Sequence, residues 1–273
     1  MNKLIAVTAY CQKDHEQTTR LLNWIKELDG RVYHSLLLVA DDAVPMDIKK
    51  ALDTLGKSVF QHSETIMVKA PAPVDGNYHV PAAFMFEKAI GHINDCYRWP
   101  FLWMEPDCVP LKTGWLDTLA DAYASSPKEY MGSIARPAQK DVPDKVFFGT
   151  GIYPRNAYVE LKKFCDGKNA FDMAFSPYVV MHAIHTNLIW HVFGAPNDPP
   201  TFKTMKAEGD GVNVGTLDMV PQNAVLMHRN KDGTLIELLR NSVHEESDPP
   251  TQLIEDVVAP KRRGRPPKAV QPL

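Results

Sequence analysis

Much is missing from this chain, and each absence removes a class of protein. Its 273 residues hold only four cysteines, Cys11, Cys96, Cys108 and Cys165, with no C-x-x-C pair among them. That scatter argues against a disulfide framework or a zinc ribbon and fits reduced thiols in a cytoplasmic protein. No apolar run approaches the ~20 residues that a membrane span needs, so no membrane partner is expected. The first apolar run, Leu4 to Val7, is too short for a secretory signal and leads into a polar, acidic segment, so it reads as a strand. No Gly-rich phosphate loop follows it, which counts against a nucleotidyltransferase. The H-E-x-x-H pattern of zinc proteases and any internal repeat are also absent.

Net charge is small, −3, but it is unevenly spread. Residues 261–268 (Lys-Arg-Arg-Gly-Arg-Pro-Pro-Lys) carry five positive charges and nothing after them is charged, which leaves −8 for the 260 residues before. An acidic body with a basic tail would take hold of a polyanion by the tail. The body itself, in a chain 44% hydrophobic, has enough apolar residues for a folded core.

Along that body, β-rich apolar runs alternate with helical periodicity. Strands are expected over 4–10, 34–40, 65–69, 101–104, 130–135, 146–153 (bent at a glycine) and 224–227. Helices are expected over 14–29, with Gly30 as the stop, over 45–55, around Ala83 to Ile93, and around Trp115 to Tyr123. Ser176-Pro177 reads as the N-cap and first turn of an apolar helix reaching about Val192. The β-α-β order predicts an α/β fold with a mostly parallel, doubly wound sheet and helices on both faces, occupying 1–243. From Glu245 onward Pro, Asp, Glu and basic residues dominate, so 244–273 is expected to be a flexible tail. Sheets of this kind bind ligands at the carboxyl ends of their strands. Thr8, Tyr10, Asp41, Asp42, Glu105 and Asp107 all fall on that edge.

The run Phe-Leu-Trp-Met-Glu-Pro-Asp (101–107) is the most informative. An apolar strand that delivers Glu105 and Asp107 sets carboxylate oxygens at the rim of a dry core. Such oxygens suit Mn or Mg, ions that also bind phosphates. The same spacing also suits a solvated acidic turn. Asp41 and Asp42 have two readings as well, nucleotide contact or capping of the helix after Pro45. His182 and His185, three apart on the expected helix, could chelate a metal or sit buried and hydrogen-bonded.

Glu105-Pro106-Asp107 resembles a variant of the D-x-D signature of GT-A glycosyltransferases. The likeness extends to Ala-Val-Thr-Ala-Tyr (6–10), Val-Ala-Asp-Asp (39–42), Gly-Thr-Gly-Ile-Tyr (149–153) and Val-Leu-Met-His-Arg-Asn-Lys-Asp-Gly (225–233). It implies a GT-A domain that binds a nucleotide sugar, by default a UDP-sugar, through Thr8, Tyr10, Asp41, Asp42, Glu105 and Lys231. It implies a metal held by Asp107 and His228, with Glu105 acting through ribose or a metal-bound water. Asp172 falls where inverting members place a catalytic base, though a carboxylate in a first helical turn also complements the macrodipole.

The tail resembles an AT-hook. Gly264 removes bulk, Pro266 holds the chain extended, and Arg262, Arg263 and Arg265 could lie along a narrow A·T-rich minor groove. The alternative is a basic segment that binds any polyanion. Taken with the core, it suggests a likeness to phage enzymes that glycosylate hydroxymethylated pyrimidines in DNA. Rival expectations are a GT-A enzyme acting on a glycan, protein or lipid, and a non-catalytic DNA-binding protein on a transferase-like core.

Overall fold

The structure, a computed structural model, describes residues 2–73, 79–135, 145–165, 170–191, 220–228 and 233–247. Lys231 and the basic motif 261–268 lie outside the described residues.

Strand β1 (Ile5–Tyr10) is followed by α1 (His15–Asp29), β2 (Val32–Asp41), α2 (Met46–Val59) and β3 (Phe60–Val68). Then come α3 (His79–Cys96), β4 (Phe101–Met104), β5 (Cys108–Pro110), α4 (Trp115–Ala124) and β6 (Tyr130–Ala135). The chain continues through β7 (Val146–Tyr153), α5 (Ala157–Leu161), α6 (Phe171–His182), β8 (Ala183–His185), β9 (Ile189–His191), β10 (Leu226–His228) and α7 (Thr234–Ser247). Among the described residues, seven strands form one sheet in the order β3-β2-β1-β4-β7-β6-β8, and three form a small sheet, β5-β10-β9. Only β7 runs against the others in the large sheet, because it pairs antiparallel with both β4 and β6. The order reverses between β1 and β4, where a parallel sheet opens a crevice at its carboxyl edge.

The two-residue period of the strands builds two cores. Ala6, Leu36, Leu38, Leu102 and Met104 face α1, α2 and α4, and meet Leu21, Ile25, Leu52 and Trp115. Ile5, Val7, Leu37, Val39, Phe101 and Trp103 point the other way, toward α3 and α6. There Phe86 stacks on Phe171, their centroids 4.4 Å apart, and meets Trp103 edge-on at 5.0 Å. A third cluster, with Trp24, Val109, Trp190, Met227, Leu235 and Ile236, glues α7 and the small sheet to α1. α1 stops at Gly30 as expected, where φ is 68° and the N–H reaches back to the Lys26 carbonyl.

Several elements differ from expectation. β3 starts at Phe60 rather than Thr65, its polar alternation being that of a sheet edge. β7 is unbroken. Its Gly151 is needed for close approach, since a Cβ there would lie 2.5 Å from the Phe147 ring. The helix expected over 176–192 instead begins at Phe171 and ends at His182. Ser176 does not cap it, because its hydroxyl accepts the Phe147 N–H at 2.9 Å and ties the helix to β7. Beyond His182, Ile184 and Trp190 join strands that pair with β6 and β10, so sheet pairing overrides the helical pattern. At the other end, α7 carries helix to Ser247, past the 243/244 boundary.

Candidate active site

The carboxyl edge of β4 turns sharply. The Cys108 N–H bonds the Glu105 carbonyl at 3.0 Å, so Glu105, Pro106 and Asp107 bulge out between β4 and β5. β10 then pairs antiparallel with β5 in a register that sets His228 opposite Cys108. That register closes the site. His228 Nε2 lies 3.0 Å from Asp107 Oδ1 and 3.1 Å from Glu105 Oε2. One ligand atom from each of the three residues lies within 4.8 Å of the others, the size of a cation site. Asp107 and His228 are buried and Glu105 is partly so.

Burial alone would discharge His228, but Asp107 and Glu105 bear on one nitrogen and hold its pKa well above the ordinary imidazole value. Its other nitrogen, Nδ1, is buried with no hydrogen-bond partner among the described residues. Cys108 lies beneath, its thiol pushed up to about 12 mainly by burial, so it is an inert floor.

A third carboxylate joins them. Asp172, in the first turn of α6, accepts the Met173 N–H at 2.9 Å and is also held by the Gly149 N–H of β7. Burial, and next the charge of Glu105, raise its pKa above the usual carboxylate value. Gly149 is what lets these parts meet, since a Cβ there would lie 3.2 Å from the Phe171 ring and 3.5 Å from Glu105 Oε1.

The other expected donor residues are placed as follows. Thr8 and Tyr10 end β1 at the right edge, and both side chains are buried. Thr8 Oγ1 and Tyr10 Oη have no hydrogen-bond partner among the described residues. Burial, and then the charge of Asp53 on α2, push the Tyr10 phenol up to about 12. Asp41 accepts the Ala43 N–H at 3.1 Å, and Asp42 is engaged by buried Lys49, which donates to its carbonyl at 3.0 Å. Neither side chain caps α2, whose N-cap is Pro45 with no side-chain hydrogen bond. His182 and His185 do not form a helical metal pair. His185 is on β8, exposed, accepting the Ile134 N–H at 3.0 Å.

Two neighbours were not foreseen. His191, on β9, stands 4.4 Å from His228 (centroid to centroid) and stacks on Phe148 at 4.0 Å, the rings only 7° from parallel. His191 lies within the expected apolar helix by its local sequence, and its strand character comes from pairing with β10.

No protein-family model matches the chain, and no curated protein matches it by sequence. Solved structures do match in shape. An active-site mutant of LgtC, a galactosyltransferase, superposes with a TM-score of 0.52 at 11% identity, over 91% of this chain and 98% of that one. The bifunctional glycosyltransferase WbbM gives 0.51 at 14% identity, over 83% of this chain and 45% of its own. The glycosyltransferase GlyE of Streptococcus pneumoniae gives 0.51 at 11%, over 87% and 60%. The fold is that of GT-A glycosyltransferases. In the GT-A fold described here, the cluster of Glu105, Asp107 and His228 lies beside the point where the strand order reverses. No described helix is long and apolar enough to cross a membrane.

Proposed function

We propose that this protein transfers a sugar from a nucleotide sugar, by default a UDP-sugar, to a hydroxymethylated pyrimidine in DNA, with Mn or Mg as cofactor. The observation that carries the donor half is the cluster of Glu105, Asp107 and His228 on the switch-point edge of a GT-A sheet. Two carboxylates, an imidazole with an orphaned second nitrogen and a third carboxylate nearby form a donor set that fits a divalent cation. Asp107 and His228 would hold the ion, with Glu105 in the same cluster. A bound divalent ion supplies charge neutralisation for the diphosphate leaving group.

Asp172 is the base in this proposal. The acceptor hydroxyl oxygen bonds to the anomeric carbon and its proton passes to the Asp172 carboxylate. The anomeric carbon–oxygen bond to phosphate breaks, and its electron pair leaves on the diphosphate. A carboxylate whose pKa is raised is a stronger base, which suits this step. Lys231 is proposed to meet the diphosphate, and Thr8, Tyr10, Asp41 and Asp42 to frame the nucleotide from the ends of β1 and β2.

The acceptor half rests on the tail sequence, with Arg262, Arg263, Gly264, Arg265 and Pro266 as the minor-groove element. Unmodified bases offer no alcohol, whereas a 5-hydroxymethyl group does, and a flipped-out base could bring it to the edge of the sheet. The tail would raise the local concentration of enzyme on DNA by tethering. To test this, purified protein, Mn and a panel of nucleotide sugars are incubated with DNA containing or lacking 5-hydroxymethylcytosine, and the digested nucleosides are weighed. A sugar-sized mass gain on the hydroxymethylated DNA alone, lost in Asp107→Ala and reduced when 248–273 are removed, is the expected result. Transfer only to simple glycans would overturn the acceptor assignment. Tight DNA binding without turnover of any donor would overturn the enzymatic one.

A further inference from the structure

Arg20 stands in the second turn of α1, and its guanidinium is wedged between the two chain segments that supply the cluster. On one side lies Gly233, five residues after His228. A Cβ built there would meet Arg20 Nη1 at 2.9 Å and Cζ at 3.0 Å, the mobile end of a long side chain, and it is the φ of 89° that calls for glycine. On the other side, Arg20 lines a narrow cleft with Pro106 and Cys108, the residues that flank Asp107. Nη1 is buried and has no hydrogen-bond partner among the described residues. Glu105 and Asp107 are close by in sequence to that cleft, yet it is His228 that they engage.

A buried guanidinium N–H without an acceptor is unusual enough to need a reason. Here an anion brought to the cluster would supply one. Arg presents a planar fork of donors matched to phosphate oxygens, and it keeps its charge in any accessible pH range. The cleft places Arg20 against Pro106 and Cys108, the residues on either side of Asp107.

We propose that Arg20 binds the diphosphate of the donor and takes up part of the charge that grows there as the sugar departs. This rests on the nucleotide-sugar reading of the site and adds to it a binding residue from α1. Preorganisation against packed backbone means that the guanidinium need not reorient when the leaving group develops its charge.

The test is calorimetric binding of UDP and of uridine, in Mn, to wild type, Arg20→Gln and Arg20→Lys, with melting temperatures as the fold control. Arg20→Gln is expected to weaken UDP about tenfold or more while moving uridine less than about twofold, the selectivity of a charge-assisted phosphate contact. Arg20→Lys, which keeps the charge but not the fork, is expected to fall between. In turnover, the same variants should lower kcat as well as raise KM, because the contact strengthens as charge develops. Unchanged UDP affinity in Arg20→Gln, or an equal loss for UDP and uridine, overturns the proposal and leaves the donor site standing. A wild-type protein that binds no nucleoside diphosphate in Mn overturns the donor reading and this inference together. Should Arg20→Gln fail to fold, Arg20→Lys decides: a well-folded variant that binds UDP as wild type does overturns the proposal, and a UDP-selective loss supports it.

Discussion

Two buried histidines, one in each sheet and each beside carboxylate, have opposite characters. His34, near the start of β2, uses both ring nitrogens: Nδ1 accepts the Leu4 N–H at 3.1 Å, and Nε2 meets Asp117 Oδ1 of α4 at 3.1 Å. Burial pulls its pKa below the ordinary value, and the single, half-exposed Asp117 does not make up the difference. His228, at the carboxyl edge, crowds two carboxylates onto one nitrogen, leaves the other without a partner among the described residues, and is shifted upward. A saturated pair staples α4 to the sheet. An unsaturated one keeps capacity for something else, and it lies where α/β sheets bind ligands.

The sharpest way to break this contrast is to remove each partner in turn. Asp107→Asn is expected to lower metal-dependent transfer on the order of a thousandfold, whereas His34→Ala should leave turnover unchanged. Mn should raise the melting temperature of the wild type and not of His228→Ala, because a ligand stabilises only the state that binds it. Equal activity losses at His34 and Asp107 would erase the distinction between staple and site.

Asp172→Asn comes next. As a general base its loss should cost about a hundredfold to ten-thousandfold in transfer. Its raised pKa means that the ionised form is disfavoured in the fold, so stability falls as pH rises above the usual carboxylate value. The amide removes that penalty, and thermal melts at neutral pH should show Asp172→Asn no less stable than wild type. A large drop in melting temperature would make Asp172 a structural residue instead.

The His34 end responds in stability alone. His34→Ala leaves the Leu4 N–H without its acceptor and is expected to cost about 1–3 kcal/mol in urea unfolding, before any cavity effect. The smallest effect is in pH. With its folded pKa lowered, His34 contributes stability that is fully present above about 6.5 and declines as pH falls below it, because the unfolded chain takes up the proton first. Urea midpoints from pH 7.5 down to 5.5 should show this slope in wild type and a shallower one in the His34 variant.

The central sheet was legible because β1, β2 and β4 are apolar runs buried on both faces, which local sequence displays directly. β8 and β9 were not, because their strand character comes from partners in β6 and β10 far along the chain. The same divide runs through the site. Asp107 and His228 could be picked out by what stands beside them in sequence. His191 and Phe148 became neighbours of the site only through strand register, and Arg20 only through the seating of α1 against the segments around Pro106 and Gly233.

The docking of α7 has a geographic consequence. Leu235 and Ile236 pack around Trp24, and Arg240 grips Glu27 of α1 at 2.8 Å, so the helix end at Ser247 is anchored to the body that carries the acidic cluster. Lys261 follows fourteen residues later, and a fully stretched chain of that length spans about 50 Å. At about 3.4 Å of duplex per base pair, a reach of that length would correspond to roughly fifteen base pairs. On the proposed function, sugars would therefore not be laid down evenly along DNA. They would fall in a halo around A·T-rich tracts, its radius set by where α7 ends.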